Sequence, residues 1–397
     1  MTESETMRLP DSFLVGASTA AHQIEGDNTT SDWWMFEQTR PERLQPSGRA
    51  CDSLHRWEED MDLVAAAGLN AYRFSVEWAR IEPEPGAFSP AAIDHYRRMV
   101  AGAHERGIEP IVTLHHFTNP LWFQVGGGWL RDDATDLFGR YLEKVAPVLD
   151  EGVRMAVSIN EPNMIAVMHR VISGEVDLTK GLGGGMPLPD PAVTDALIRV
   201  HDAAHEQLRA QHPDLAVGWS VANQNVQSVP GGEEAAAACS EAIEDVFLRA
   251  AIGDDFIAVQ SYSRVVYGPD GIVEPAPEVP RTSNGWEYRP EALGEAVRHT
   301  AAIVPGVPIL VTENGISTRD DAQRIAYTTG ALRSLRACMD DGIDVRSYLH
   351  WSLLDNYEWG QWEPTFGLVA VDRDTFVRRP KPSLEWLGAV ARSRELP

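Results

Sequence analysis

Eight short apolar runs recur along the 397 residues, each followed by a longer stretch with helical spacing. This alternation restricts the fold more than any other feature of the chain. The runs are FLVGAST from Phe13, AYRFSVEW from Ala71, EPIVTLHHF from Glu109 and MAVSINEP from Met155. They continue as AVGWSVANQ from Ala216, FIAVQSY from Phe256, PILVTENG from Pro308 and SYLHWSLLD from Ser347. Between them, Pro90–Arg106, Asp132–Asp150, Pro191–Gln211, Glu233–Ala251, Pro290–Val304 and Arg319–Met339 place apolar residues three and four apart. Pro90, Pro191 and Pro290 stand near helix starts, where a missing N–H costs nothing. Ser89 and Asp190 suit the N-cap positions before two of them. Runs apolar on both faces are what parallel strands covered by helices require. Eight strand–helix units in one chain predict an α/β fold, a single (β/α)₈ TIM barrel spanning 1–397. A doubly wound open sheet is the alternative.

Active sites of such barrels lie at the C-terminal ends of the strands. The first run ends near Gln23, the second carries Arg73 and Glu77, and the third ends in His115-His116-Phe117. The fourth ends in Asn160-Glu161-Pro162, the sixth at Tyr262 and the seventh in Glu313-Asn314-Gly315. The eighth carries Trp351 and leads to Glu358-Trp359. Polar and aromatic groups therefore converge on one rim. Glu161 and Glu313 stand at the ends of strands four and seven, roughly across the barrel mouth from each other. Two carboxylates flanking a glycosidic bond are the minimum for its hydrolysis: one protonates the leaving oxygen, the other attacks the anomeric carbon or activates water.

Composition narrows the partners. A net charge of −25 disfavours nucleic acid and anionic membrane surfaces, both of which need clustered Lys and Arg. Three cysteines without repeated spacing form neither a disulfide framework nor a zinc site. The acidic start MTESETMRLPD has no basic and apolar leader, so the cytoplasm is the expected location. No apolar run is long enough to span a bilayer. The glycine-rich run Gly181–Gly185 lacks the strand–turn–helix context of a phosphate loop. His115-His116 comes without HExxH or a Cys/His pair at ligand spacing, so neither a metal nor a cofactor is expected. Trp33-Trp34 reads as packing under the barrel, with lining the sugar entrance, or Trp33 reaching the aglycone, as the alternative.

SINEP and VTENG resemble the paired signatures of glycoside hydrolase family 1. FLVGASTAAHQIEG resembles that family's N-terminal signature. CDSLHRWEEDMDLVAAAGLNAYRFSVEWARIEP resembles its second-strand stretch, and WSLLDNYEWGQWEPTFGLVAVD its closing segment. The likeness runs from roughly Phe13 to Trp386, with five segments in the family's order. It implies a retaining β-glycosidase of β-glucosidase type, acting on a small-molecule β-glycoside, with Glu161 as acid/base and Glu313 as nucleophile. It implies that Gln23, His116, Asn160, Glu358 and Trp359 hold the non-reducing sugar, that Trp351 is the platform beneath it, and that Arg73 and Tyr262 hold and tune the nucleophile. A carboxylate at Glu358 implies a plain hexose rather than a 6-phosphosugar. Transglycosylation, β-galactosidase or β-fucosidase specificity and a non-catalytic sugar-binding barrel stand as alternatives.

Four departures from the family's pattern bear on specificity. Phe117 stands where the family has Trp and cannot donate a hydrogen bond. Gln260 replaces Asn and reaches further. Glu77 replaces Ser and, on the same strand face as Arg73, is expected to form a buried ion pair with it, a third catalytic carboxylate being the alternative. The segment SGEVDLTKGLGGGMPLPDP lacks the usual aromatic loop, which predicts a wide leaving-group region tolerant of bulky aglycones.

Overall fold

The computed structural model describes residues 8–175 and 187–395. Eight parallel strands close into a barrel: β1 (Leu14–Ser18), β2 (Ala71–Ser75), β3 (Glu109–Thr113), β4 (Met155–Asn160), β5 (Ala216–Ala222), β6 (Ile257–Gln260), β7 (Ile309–Asn314) and β8 (Val345–Trp351). Seven lie within their apolar runs, and β8 starts at Val345, two residues before the run from Ser347. The sheet closes where β1 pairs with β8, with Leu14 opposite Ser347 and Ser18 opposite Trp351. Closure leaves no sheet edge, which rules out the open-sheet alternative.

Helices cover the outside: α1 (Ser53–Ala67), α2 (Pro90–Glu105), α3 (Ala134–Leu149), α4 (Pro162–Ile172), α5 (Pro191–Gln211), α6 (Glu233–Ser240), α7 (Ala292–Ile303), α8 (Asp321–Asp340) and α9 (Pro382–Ser393). The two expected caps form: the Ser89 side chain accepts from Ala92 N–H, and Asp190 accepts from Ala192 and Val193 N–H. The stretch expected as one helix from Glu233 changes to a wider helical turn over Glu241–Asp245 before resuming at Val246–Ala250.

The barrel interior divides into two floors because side chains alternate along each strand. Ala71, Ile111, Val157, Ala258, Leu310 and Leu349 fill the lower floor with apolar volume. Two residues further along β2 and β3, the same inward face carries Arg73 and Thr113, both fully buried. Register shifts in β4 between Val157 and Asn160, and in β7 between Val311 and Glu313, turn the polar ends of both strands into this upper floor.

Candidate active site

Arg73 is the hub of the upper floor. Its Nε donates to Thr113 Oγ1 at 2.8 Å, its Nη1 to Glu313 Oε1 at 2.6 Å, and its Nη2 to Asn160 Oδ1. Glu313 also accepts from Tyr262 O–H at 2.7 Å and from Gln260 Nε2 at 2.9 Å. Tyr262 is held in turn by Tyr327, whose hydroxyl donates to the Tyr262 carbonyl at 2.7 Å. Burial holds the Glu313 carboxyl above its ordinary value, and the Arg73 charge and the Tyr262 and Arg73 hydrogen bonds offset only part of that rise.

Asn160 Oδ1 accepts from Arg73, from Ser220 Oγ at 3.0 Å and from Gln260 Nε2 at 2.9 Å. This crowding of donors fixes the amide so that its Nδ2 points toward His116 Nε2, 3.3 Å away. Burial and the Arg73 charge hold His116 well below its ordinary pKa, so the ring is neutral and its Nε2 accepts. His116 stacks between two tryptophans, at 5.9 Å and 18° from Trp351 and at 6.1 Å and 11° from Trp359.

Glu161 follows β4 directly and caps α4 with left-handed backbone, φ 45° and ψ 60°. Phe117 (φ 67°) and Trp359 (φ 46°) share that strained region. A non-glycine residue held there costs about 1–3 kcal/mol, and such strain gathers at functional sites. Among the described residues no donor reaches the Glu161 carboxyl. Burial, and then the neighbouring Glu313 charge, push it well above the ordinary carboxylate range, against a smaller opposing pull from Arg73. The two carboxyls thus differ: buried Glu313 has three donors, and half-buried Glu161 has none among the described residues.

At the other end of the same cavity, Glu358 accepts from Gln23 Nε2 at 3.3 Å and from Trp351 Nε1 at 3.2 Å. Among the described residues no arginine pairs with it. Burial raises its carboxyl to about 8, with the Trp351 hydrogen bond opposing and the Glu313 charge reinforcing that rise. Gly315 lets these halves meet, since a Cβ there would lie 2.1 Å from the Trp351 carbonyl oxygen. Gln23, His116, Asn160, Glu161, Tyr262, Glu313, Trp351, Glu358 and Trp359 all line one cavity of about 480 Å³. Arg73 sits beneath its floor. Every residue singled out as a site residue from the sequence is therefore brought together.

Two expectations are corrected. Arg73 pairs with Glu313 and not with Glu77. Since β2 ends at Ser75, Glu77 lies beyond the strand and is the N-cap of the short helix Trp78–Ile81, accepting from Ala79 N–H at 3.2 Å and from Thr118 Oγ1 at 2.7 Å. Trp33 does not pack under the barrel; it lines the cavity and meets Trp359 edge-on at 5.1 Å. His115 bonds Asn119 Oδ1 at 3.0 Å, and among the described residues no group of three His, Cys, Asp or Glu side chains is placed to hold a metal. No described helix is long and apolar enough to cross a membrane. The run Gly181–Gly185 lies outside the described residues, as does the middle of the segment after β4. Gln260 and Thr113 join the site without having been marked as site residues. Their signal was positional: Glu313 pairs with Gln260 across β6–β7, and Arg73 lies on the same face as Thr113.

A closed (β/α)₈ barrel whose rim sets two unlike carboxyls in one cavity floored by hydrogen-bonding groups and walled by tryptophan defines an O-glycosyl hydrolase. The profile of Glycosyl hydrolase family 1 matches residues 5–265 and 257–396, and the chain belongs to that family. It is 30% identical to the thermostable beta-glucosidase B of Thermobispora bispora, over 98% of this chain and 92% of that protein. It is also 30% identical to a bifunctional beta-D-glucosidase/beta-D-fucosidase of Bifidobacterium breve, over 96% and 97%. Among solved structures, beta-glycosidase BGL167 superposes with a TM-score of 0.88 at 41% identity, covering 97% of both chains. The Thermotoga maritima beta-glucosidase in complex with glucoimidazole superposes at 0.87 with 26% identity, covering 98% and 99%.

Proposed function

We propose that this enzyme hydrolyses a terminal non-reducing β-D-glucoside with retention, Glu313 being the nucleophile and Glu161 the acid/base. The observation that carries the assignment is the asymmetry of the two carboxyls. Three donors on Glu313 favour its ionised form, and the absence of any on Glu161 favours its protonated form. In the first step a Glu313 oxygen bonds to the anomeric carbon, the glycosidic C–O bond breaks, and the leaving oxygen takes the Glu161 proton. Esterification removes the Glu313 charge that had raised Glu161. Glu161 then accepts a proton from water as that water's oxygen attacks the anomeric carbon and frees Glu313.

Gln23, His116, Asn160, Glu358 and Trp359 hold the sugar's hydroxyls in this reading, and Trp351 forms the platform beneath the ring. The names of the relatives support glucose as the sugar. A β-D-fucoside is the second reading, carried by the relative named for both activities. We read 1–397 as one barrel domain. The three free, buried cysteines fit a reducing cytoplasm, and the charge of −25 fits a partner other than nucleic acid.

Glu313→Ala should lower kcat/KM on aryl β-glucosides on the order of 10⁴-fold or more. Azide should restore turnover and give the α-glucosyl azide, because it enters the vacated nucleophile position. Glu161→Ala should cost about 10³-fold on a poor leaving group and far less on a dinitrophenyl glucoside, where azide gives the β-azide. Full activity of Glu313→Ala, or inverted azide stereochemistry, would reassign the pair. Product analysis with added alcohol measures how far an acceptor replaces water.

A further inference from the structure

Glu313 is aimed by three donors, whereas among the described residues no donor reaches the Glu161 carboxyl. The direction of the Glu161 carboxyl is therefore set by its backbone. That backbone is left-handed, with φ 45° and ψ 60° at the turn from β4 into α4. A non-glycine residue keeps such a conformation only where its surroundings over-determine it.

Two anchors bracket the turn, and both reach β5. Glu161 N–H donates to the Ser220 carbonyl at 2.8 Å. Two residues on, the Asn163 side chain grips both main-chain groups of Ala222. Its Nδ2 donates to the Ala222 carbonyl at 2.8 Å, and its Oδ1 accepts from Ala222 N–H at 3.2 Å. Nδ2 also donates to the Ile243 carbonyl at 2.9 Å, in the wide helical turn Glu241–Asp245. Wide turns of this kind gather at functional sites. Asn163 is fully buried and stands outside the cavity lining.

We propose that Asn163 is the positioning residue of the acid/base. By tying the start of α4 to β5 and to the Ile243 carbonyl, it holds the left-handed turn that directs the Glu161 carboxyl to the leaving oxygen. This rests on the acid/base reading of Glu161 above and adds the residue that aims it. Proton transfer needs hydrogen-bond reach, and a misplacement of about 1 Å can cost on the order of 10²-fold.

The test compares phenyl and dinitrophenyl β-D-glucosides. Phenol leaves poorly and needs the acid, whereas dinitrophenol leaves without it. Asn163→Leu keeps the bulk and removes all three bonds. The expected result is a phenyl-to-dinitrophenyl ratio of kcat/KM that falls about tenfold or more. This ratio does not depend on the folded fraction, so a merely structural loss leaves it unmoved. On the dinitrophenyl glucoside kcat and KM should fall together, because a misdirected base slows release of the sugar from Glu313, and azide should restore kcat. Asn163→Ser, which leaves room for a water, supplies the same reading if the leucine variant folds poorly. Adding Asn163→Leu to Glu161→Ala should leave the ratio of the single Glu161 variant unchanged, since Asn163 acts through that carboxyl. An unmoved ratio in a folded Asn163 variant, or a further fall in the double variant, overturns the proposal and leaves Glu161 in its role. A Glu161→Ala variant with the wild-type ratio overturns the acid/base reading itself.

Discussion

Arg73 Nη1 lies 2.6 Å from Glu313 Oε1, joining two residues 240 positions apart with the guanidinium fully buried. A buried pair of this kind is strongly destabilised when one partner is removed, by about 3–5 kcal/mol, because the other charge is left uncompensated. Arg73→Met should therefore unfold at lower denaturant. It should also raise the acid limb of the activity profile, since Glu313 loses the charge that keeps it ionised. A variant with wild-type stability and an unmoved acid limb would remove Arg73 from its role.

With the roles proposed for Glu313 and Glu161, the pH dependence of kcat/KM should be bell-shaped. Activity falls on the acid side as Glu313 is protonated, and on the alkaline side as Glu161 loses its proton. Glu161 is pushed well above the ordinary range by burial and by Glu313, so the alkaline limb belongs to it. In Glu161→Gln assayed with a dinitrophenyl glucoside, glycosylation no longer needs an acid. The alkaline limb should then vanish while the acid limb stays. Persistence of the alkaline limb would assign it to another group, Glu358 first, since that carboxyl is raised to about 8.

Gln260 Nε2 reaches Glu313 Oε1 and Asn160 Oδ1, each at 2.9 Å, and so joins the proposed nucleophile to the amide turned toward His116. Gln260→Leu keeps the bulk and removes both bonds. The expected loss is about tenfold or more in kcat/KM, with KM rising as Asn160 loses its fixed orientation. Gln260→Asn, with a shorter arm, should recover only part of it. Unchanged kinetics in the leucine variant would make the contact incidental.

The barrel was legible in the chain because parallel strands under helices must be apolar on both faces. All eight runs became strands, seven with only their ends trimmed and the eighth starting two residues earlier, at Val345. The paired glutamates were legible because each follows a run directly and stands beside an asparagine. The partner of Arg73 was not. Spacing along one strand suggested Glu77, four residues on, whereas barrel closure brings β7 across to meet β2's inward face. Strand parity also fails past Ser75, where the chain turns into a helix and gives Glu77 a capping role. The contact of Gln260 with Glu313 depends on the register shift in β7, which no local pattern announces.

Glu77 is left as a buried acid with no cation directly on it among the described residues. Burial raises its carboxyl to about 7, reinforced by the Glu25 charge and opposed by the Thr118 hydrogen bond and by Arg80. A carboxyl whose folded pKa is raised binds its proton more tightly folded than unfolded. Its contribution to stability is therefore whole below the unfolded value of 4.5 and declines as pH rises to about 7. The full decline is about 3 kcal/mol. Glu77→Gln mimics the protonated form: its carbonyl can still cap Ala79, and Thr118 can turn its hydroxyl to accept. Asp32, raised to about 6, and Glu244, raised to about 7, titrate in the same direction in both proteins, so the difference between variant and wild type isolates Glu77. Denaturant unfolding should give equal stabilities near pH 4 and a variant more stable than wild type at pH 8. A constant difference across that window would show that Glu77 keeps an ordinary pKa in the folded protein.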